Sequence, residues 1–249
     1  MRPYVLAETN WAAVQQTAYE VAVLPWGATE AHNYHLPYAT DVYEASAIAE
    51  ASARLAWAAG ARVIALPAVP FGVNTGQLEI PLTINMNPST QLAVLRDVAE
   101  SLELQGVPKL VILNGHGGND FKSILRELQG ATDVFISTLN WWTCIDTEPF
   151  FAHPGDHAGE LETSLMMFLQ PGLVALEQAG DGRTNPFRVR ALREGWAWAP
   201  REWLRATVDT GAGDPRAASA EKGERYFKAV TEQIAGFLIE LAGTQDLYS

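Results

Sequence analysis

The chain predicts an α/β fold in three layers, a mostly parallel central sheet with helices covering both faces. Two observations carry this. Short β-branched or apolar runs alternate with longer segments of helical spacing, and those runs are apolar throughout rather than on every second residue, as strands buried on both faces are. Hydrophobic residues make up 48% of the 249 and charged residues 18%, enough apolar material for a sizeable core. Residues 1–249 therefore read as one domain.

The expected strands are Val21–Pro25, Arg62–Leu66, Lys109–Leu113 and Asp133–Thr138. Between them, Val42–Ala59 and Thr90–Leu104 have helical spacing. The second has Ser89 as its expected N-cap and Gly106 as its stop. Asp120–Leu128 is a shorter helix closed by Gly130, and Ala158–Leu169 and Glu221–Leu241 complete the set. Pro171 to Pro215 is irregular and rich in Gly, Pro, Arg and Trp, which fits a lid, an oligomer contact or a packed surface excursion.

Bulk charge narrows the partners. Acidic residues outnumber basic ones 29 to 17, for a net charge of −12. Such a surface repels phosphate backbones and anionic lipid, so neither nucleic acid nor a membrane surface is expected. Cys144 has no second cysteine to pair with, there is no apolar leader at the N-terminus, and no run of eighteen apolar residues occurs. These features predict a cytoplasmic protein.

The chemistry-bearing residues gather in three motifs, each expected near the carboxyl end of a strand or the start of a helix. Between Glu30 and Asp41 the chain writes E-A-H-N-Y-H-L-P-Y-A-T-D, with Glu30, His32, His35 and Asp41 as potential ligands for Zn²⁺, Mn²⁺ or Fe²⁺. Asp41 could equally cap the helix that follows, but beside Glu30 and His32 a ligand role is favoured. His35 suits a role orienting a ligand or a water. In Asn114-Gly-His-Gly-Gly-Asn119, glycines flank His116, so main-chain N–H groups can approach a ligand. The spacing matches no dinucleotide or phosphate loop. In Asp156-His157-Ala-Gly-Glu160-Leu-Glu162, the two glutamates point about 200° apart at about 100° per residue, so they have different jobs. Glu160, in the first turn, is the expected ligand and Glu162 a cap or brace. Asp156 and His157 are the expected acid/base pair.

Taken in order, G-A-T-E-A-H-x-x-H-L-P…T-D, N-G-H-G-G-N and D-H-A-G-E-x-E-T-S resemble the creatininase (creatinine amidohydrolase) family between Leu24 and Ser164. That resemblance implies a Rossmann-like sandwich, commonly a homo-hexamer, with two divalent ions (Zn, Mn or Fe). Its activity would be hydrolysis of a C–N bond in a small amide, cyclic amide or formamide by metal-activated water, with a catalytically inactive metal- or small-molecule-binding member, or a peptide-trimming branch, as the alternatives. It also implies Glu30, His32, Asp41 and His116 as ligands, with Asp41 as bridge. Creatininase itself takes a ligand from a glutamate two residues after the N-G-H histidine, where this chain has Gly118, and the resemblance implies Glu160 in compensation. Its substrate-recognising tyrosine position is Gly117 here, and its tryptophan ahead of the acid–histidine pair is replaced by His153 and Pro154. These departures count against creatinine itself as the substrate.

Overall fold

The computed structural model describes residues 1–248. Four strands, β1 (Val21–Trp26), β2 (Val63–Ala65), β3 (Lys109–Asn114) and β4 (Phe135–Asn140), pair in the order β2-β1-β3-β4, every neighbour parallel. The helices are α1 (Trp11–Val14), α2 (Thr40–Ala58), α3 (Pro88–Leu104), α4 (Phe121–Leu128), α5 (Glu160–Leu169), α6 (Arg190–Arg193), α7 (Trp203–Ala206) and α8 (Ala220–Gly243). Helices α2, α3 and α4 are the successive crossovers between strands.

The three layers follow from the two-residue period of the strands. Val21, Val23, Val111 and Leu113 pack into a core with α2, α5 and α8, while Ala22, Leu24, Leu110 and Ile112 pack against α3 and α4. β1, β2 and β3 are buried along their whole length, which is why they read as apolar runs. β4, expected at Asp133–Thr138 as a doubly buried strand, runs Phe135–Asn140 at the sheet edge, where partial exposure admits Ser137, Thr138 and Asn140.

Two expected helix starts move. Ser89 lies inside α3, whose N-cap is Asn87 with Pro88 at the first helical position, where a missing N–H costs nothing. Helix α5 begins at Glu160 rather than Ala158, because Ala158 adopts a left-handed conformation (φ 49°) that cannot continue a right-handed helix. The segment 171–215 carries α6, α7 and several 3₁₀ turns, and folds back on the site through an Ala212–His157 bridge. Among the described residues no helix is long and apolar enough to cross a membrane.

The sheet order sets the place of the site. From β1 the chain crosses to β2 on one side, and β3 then lies on the other, so a crevice opens beyond the carboxyl ends of β1 and β3. Gly27 and Gly115 follow these two strands. A Cβ on Gly27 would come 2.7 Å from the Val42 nitrogen, and one on Gly115 3.0 Å from the Asp41 carbonyl oxygen. Only glycine lets both turns close onto the start of α2, and that packing delivers Asp41 into the crevice.

Candidate metal centre

The segment from Glu30 to Asp41 forms a tight loop rather than an extended strand. Glu30 N–H donates to the Tyr38 carbonyl (3.1 Å), and Asn33 turns the chain at φ 55°, a conformation asparagine tolerates. Glu30, His32 and Asp41 emerge from this loop fully buried, and His116 joins them from the turn after β3.

Three histidines share one arrangement. His116 Nε2–H donates to the Val73 carbonyl (3.1 Å), His32 Nδ1–H to the Glu30 carbonyl (3.1 Å), and His157 Nε2–H to the Ala31 carbonyl (2.9 Å). A carbonyl can only accept, so each of these nitrogens carries a proton. Each remaining nitrogen meets carboxylates: His116 Nδ1 lies 2.7 Å from Glu30 Oε1 and 3.1 Å from Asp41 Oδ2, His32 Nε2 is 2.9 Å from Asp41 Oδ1, and His157 Nδ1 is 3.9 Å from Glu30 Oε1. In neutral imidazoles, lone pairs would face lone pairs. The cluster needs positive charge at its centre, and outer N–H bonds of this kind are how histidine ligands are held toward a cation.

Donor atoms group accordingly, within 4.8 Å of one another in each set: Glu30, Asp41 and His116; His32, Asp41 and Glu162; and Glu30, His32 and His157. The first two sets share only Asp41. The donor chemistry fits divalent Zn, Mn or Fe.

With protons as the only central charge, the cluster's titration shows how strongly it is coupled. Burial pushes Glu30 upward, but the His116 and His157 charges outweigh it and hold the carboxyl below its ordinary value. Asp41 also resists the push of burial, kept well below the carboxylate range by His32 and His116. Burial pulls His32 down, yet Asp41 lifts it to about 9; His116 is raised well above its ordinary value against burial by Glu30 and Asp41. Glu162 is raised, mainly by burial.

Glu160 and Glu162 change places relative to expectation. Glu160 is buried on the far side of α5, where its carboxylate accepts from the Lys222 ammonium (2.5 Å) and the His153 N–H (3.0 Å). Glu162 faces the cluster, its second oxygen accepting from the Ala158 N–H. The left-handed turn at Ala158 delays the helix by two residues, and this rotates Glu162 inward. Asp156 does not orient His157. It is exposed and pairs with Arg201 (2.7 Å), leaving the Ala31 carbonyl to fix the imidazole.

The remaining expected residues are nearby. His35 Nε2 bonds the Thr163 hydroxyl (2.8 Å), and its other nitrogen has no partner among the described residues. Burial and the His32 charge pull it down to about 4, so it is neutral at pH 7. Gly117 lines the cleft with open space where a Cβ would stand. At Gly118 a Cβ would come 2.3 Å from the Val73 carbonyl oxygen and 2.4 Å from His116 Nε2, so no side chain fits, and the carboxylate of Glu162 lies near His32 and Asp41.

No motif pointed to Gln77, whose amide donates to Glu30 Oε2, or to the Val73 carbonyl. Above the cluster the cleft has a volume of about 550 Å³ and is walled by Trp142, Trp198 and Trp203. Of the four aromatics between the second and third motifs, Trp141 and Trp142 reach it, whereas Phe150 and Phe151 pack around Tyr226 in the core.

The family model for creatininase (creatinine amidohydrolase) matches residues 7–238. The chain belongs to the creatininase family. It is similar over its full length, and that of its counterpart, to the crystal structure of a Bacteroides fragilis protein provisionally designated a creatinine amidohydrolase (45% identity, TM-score 0.95). A variant creatininase solved in a zinc–zinc form superposes over 97% of this chain and 99% of its own (25% identity, TM-score 0.78). The mycofactocin precursor peptide peptidase of Mycobacterium tuberculosis is 30% identical, covering 84% of this chain and 81% of its own. Membership of this family supports a metal-binding hydrolase.

Proposed function

We propose that the chain is one hydrolase domain that binds two divalent ions, Zn, Mn or Fe, and cleaves a C–N bond of a small amide, cyclic amide or formamide. The observation that carries this is the trio of main-chain-anchored histidines aimed at Glu30, Asp41 and Glu162. Glu30, Asp41 and His116 would hold one ion, and His32, Asp41 and Glu162 the other. When bound, such ions supply Lewis acidity, polarising a carbonyl and lowering the pKa of water to about 7 from about 15.7.

The chain's own residues do the rest. Gln77 and the three carbonyl anchors hold the donors so that they need not reorganise. His157 Nδ1 faces the cluster while its other nitrogen is tied to Ala31, so a proton can be held or returned only at Nδ1, beside a departing nitrogen. Trp142 and Trp203 present apolar ring surface beside the reacting amide.

Peptide trimming is the second reading, supported by the 30% identical peptidase and by a cleft with a widely exposed Trp198 at its rim. A panel of formamides, cyclic amides and short peptides, assayed with metal-loaded protein, separates the two. Turnover of the small amides alone supports the first reading, and turnover of peptides alone replaces it. No turnover of either by protein with full metal content means a binding protein that lacks the reaction. The family resemblance and the lone Cys144 also support a cytoplasmic homo-oligomer, a hexamer, whose mass light scattering measures.

A further inference from the structure

Arg201 is the only lysine or arginine among the described residues lining the cleft, which also presents five carboxylates: Glu30, Asp41, Asp120, Asp156 and Glu162. Its guanidinium lies 4.5 Å over the ring of Trp203, whose edge meets the His157 ring at a centroid distance of 5.3 Å. Two contacts therefore separate a fixed cation from the imidazole assigned to proton transfer. Arg201 is tied through Nη1 alone to Asp156 (2.7 Å), and among the described residues its other N–H donors have no partner. A guanidinium offers five donors in a planar fork, so one bond to Asp156 leaves an edge able to grip a second carboxylate.

A plain strap between the 194–203 segment and His157 does not require this side chain. The Arg201 carbonyl already packs so closely on Gly76 that a Cβ there would stand 2.0 Å away, and Trp203 Nε1–H is anchored on the Thr210 carbonyl (2.8 Å). The cation adds something the main chain does not. In a chain of net charge −12, an anionic substrate needs such a local counter-charge to enter.

We propose that Arg201, levelled by Trp203 and turned by Asp156, docks a free carboxylate on the amide hydrolysed at this site. The substrate class is then an acidic amide. This rests on the hydrolase reading and narrows it. The carboxylate could belong to a small N-acyl amino acid or to a peptide C-terminus, since both present the same chemistry.

Binding by zinc-loaded protein tests it without relying on turnover. N-acetylglycine is compared with N-acetylglycinamide, and trialanine with its C-terminal amide, by calorimetric titration. Wild type is expected to prefer the free acid of at least one pair by about tenfold or more, and Arg201→Gln should lose that preference while Arg201→Lys keeps part of it. The pair that discriminates identifies the source of the carboxylate. Equal affinities in wild type, no detectable binding of any probe, or a preference that survives in Arg201→Gln would overturn the assignment. The last outcome would place the carboxylate on the metals. If the preference holds but no amide is hydrolysed, the hydrolase reading fails and the carboxylate site stands.

Discussion

The loop from Glu30 to Asp41 and the turn from Asp156 to Glu162 both feed the same centre, yet they do so by different means. In the first, donors are spaced along a tight loop, and main-chain carbonyls of that same loop lock His32 and His157. In the second, the donor is chosen by the phase of a helix, and a single left-handed residue, Ala158, sets that phase. The turn shows that two glutamates two positions apart can swap roles when a helix starts later than its sequence suggests.

The largest effect should come from the shared donors. Asp41→Asn or His116→Ala is expected to abolish both metal content and hydrolysis, checked by elemental analysis beside the amide assay. Full activity at unchanged stoichiometry would separate the loop from the chemistry altogether.

The turn is probed by its two glutamates. Glu162→Gln should weaken metal binding by at least the roughly 10–100-fold that losing even an outer-shell partner costs. Glu160→Gln should retain the metal and instead lower unfolding stability by about 1–3 kcal/mol, through its bonds to Lys222 and the His153 N–H. The reverse pattern in competition titrations and thermal melts would restore Glu160 as the ligand.

Protonation sharpens the contrast further. Asp41 holds His32 protonated up to about 9, so metal uptake at pH 7 must expel that proton. Affinity should therefore rise about tenfold per pH unit for each proton released between pH 7 and 9. In metal-free protein the sign is opposite: stability drawn from the raised His32 is complete below its ordinary 6.5 and is lost as pH rises through about 9. Calorimetry in two buffers of different ionisation enthalpy counts the protons, and a pH-independent affinity would contradict the coupling.

The smallest effect concerns Glu44, one turn beyond Asp41 in α2. It is fully buried with neither oxygen partnered among the described residues, and burial together with Glu162 and Asp41 raises its carboxyl well above 4.5. A raised carboxyl destabilises the fold as pH climbs above its unfolded value. Glu44→Gln should thus stabilise metal-free protein at pH 8 by about 1 kcal/mol or more, with the advantage vanishing near pH 4. A gap independent of pH would show that Glu44 gains a partner.

Much of this was legible in the residues. β1, β2 and β3 read correctly because doubly buried strands must be apolar throughout, whereas β4 is a half-exposed edge strand that starts at Phe135 rather than Asp133. Glu30, His32, Asp41 and His116 come together because loops after β1 and β3 share one crevice. The inward orientation of Glu162 was hidden, because a positive φ at alanine has no sequence signature. Asp156 was misjudged for a similar reason: adjacency to His157 predicts contact, but its carboxylate turns outward to Arg201, forty-five residues away. Gln77 and the Val73 carbonyl reach the cluster through tertiary packing alone.

Anomalous diffraction at the zinc edge, from crystals grown with zinc, tests the central claim most directly. Two peaks are expected, one among Glu30, Asp41 and His116 and one among His32, Asp41 and Glu162, with Asp41 touching both. A single peak, or one liganded by Glu160 in place of Glu162, would contradict it.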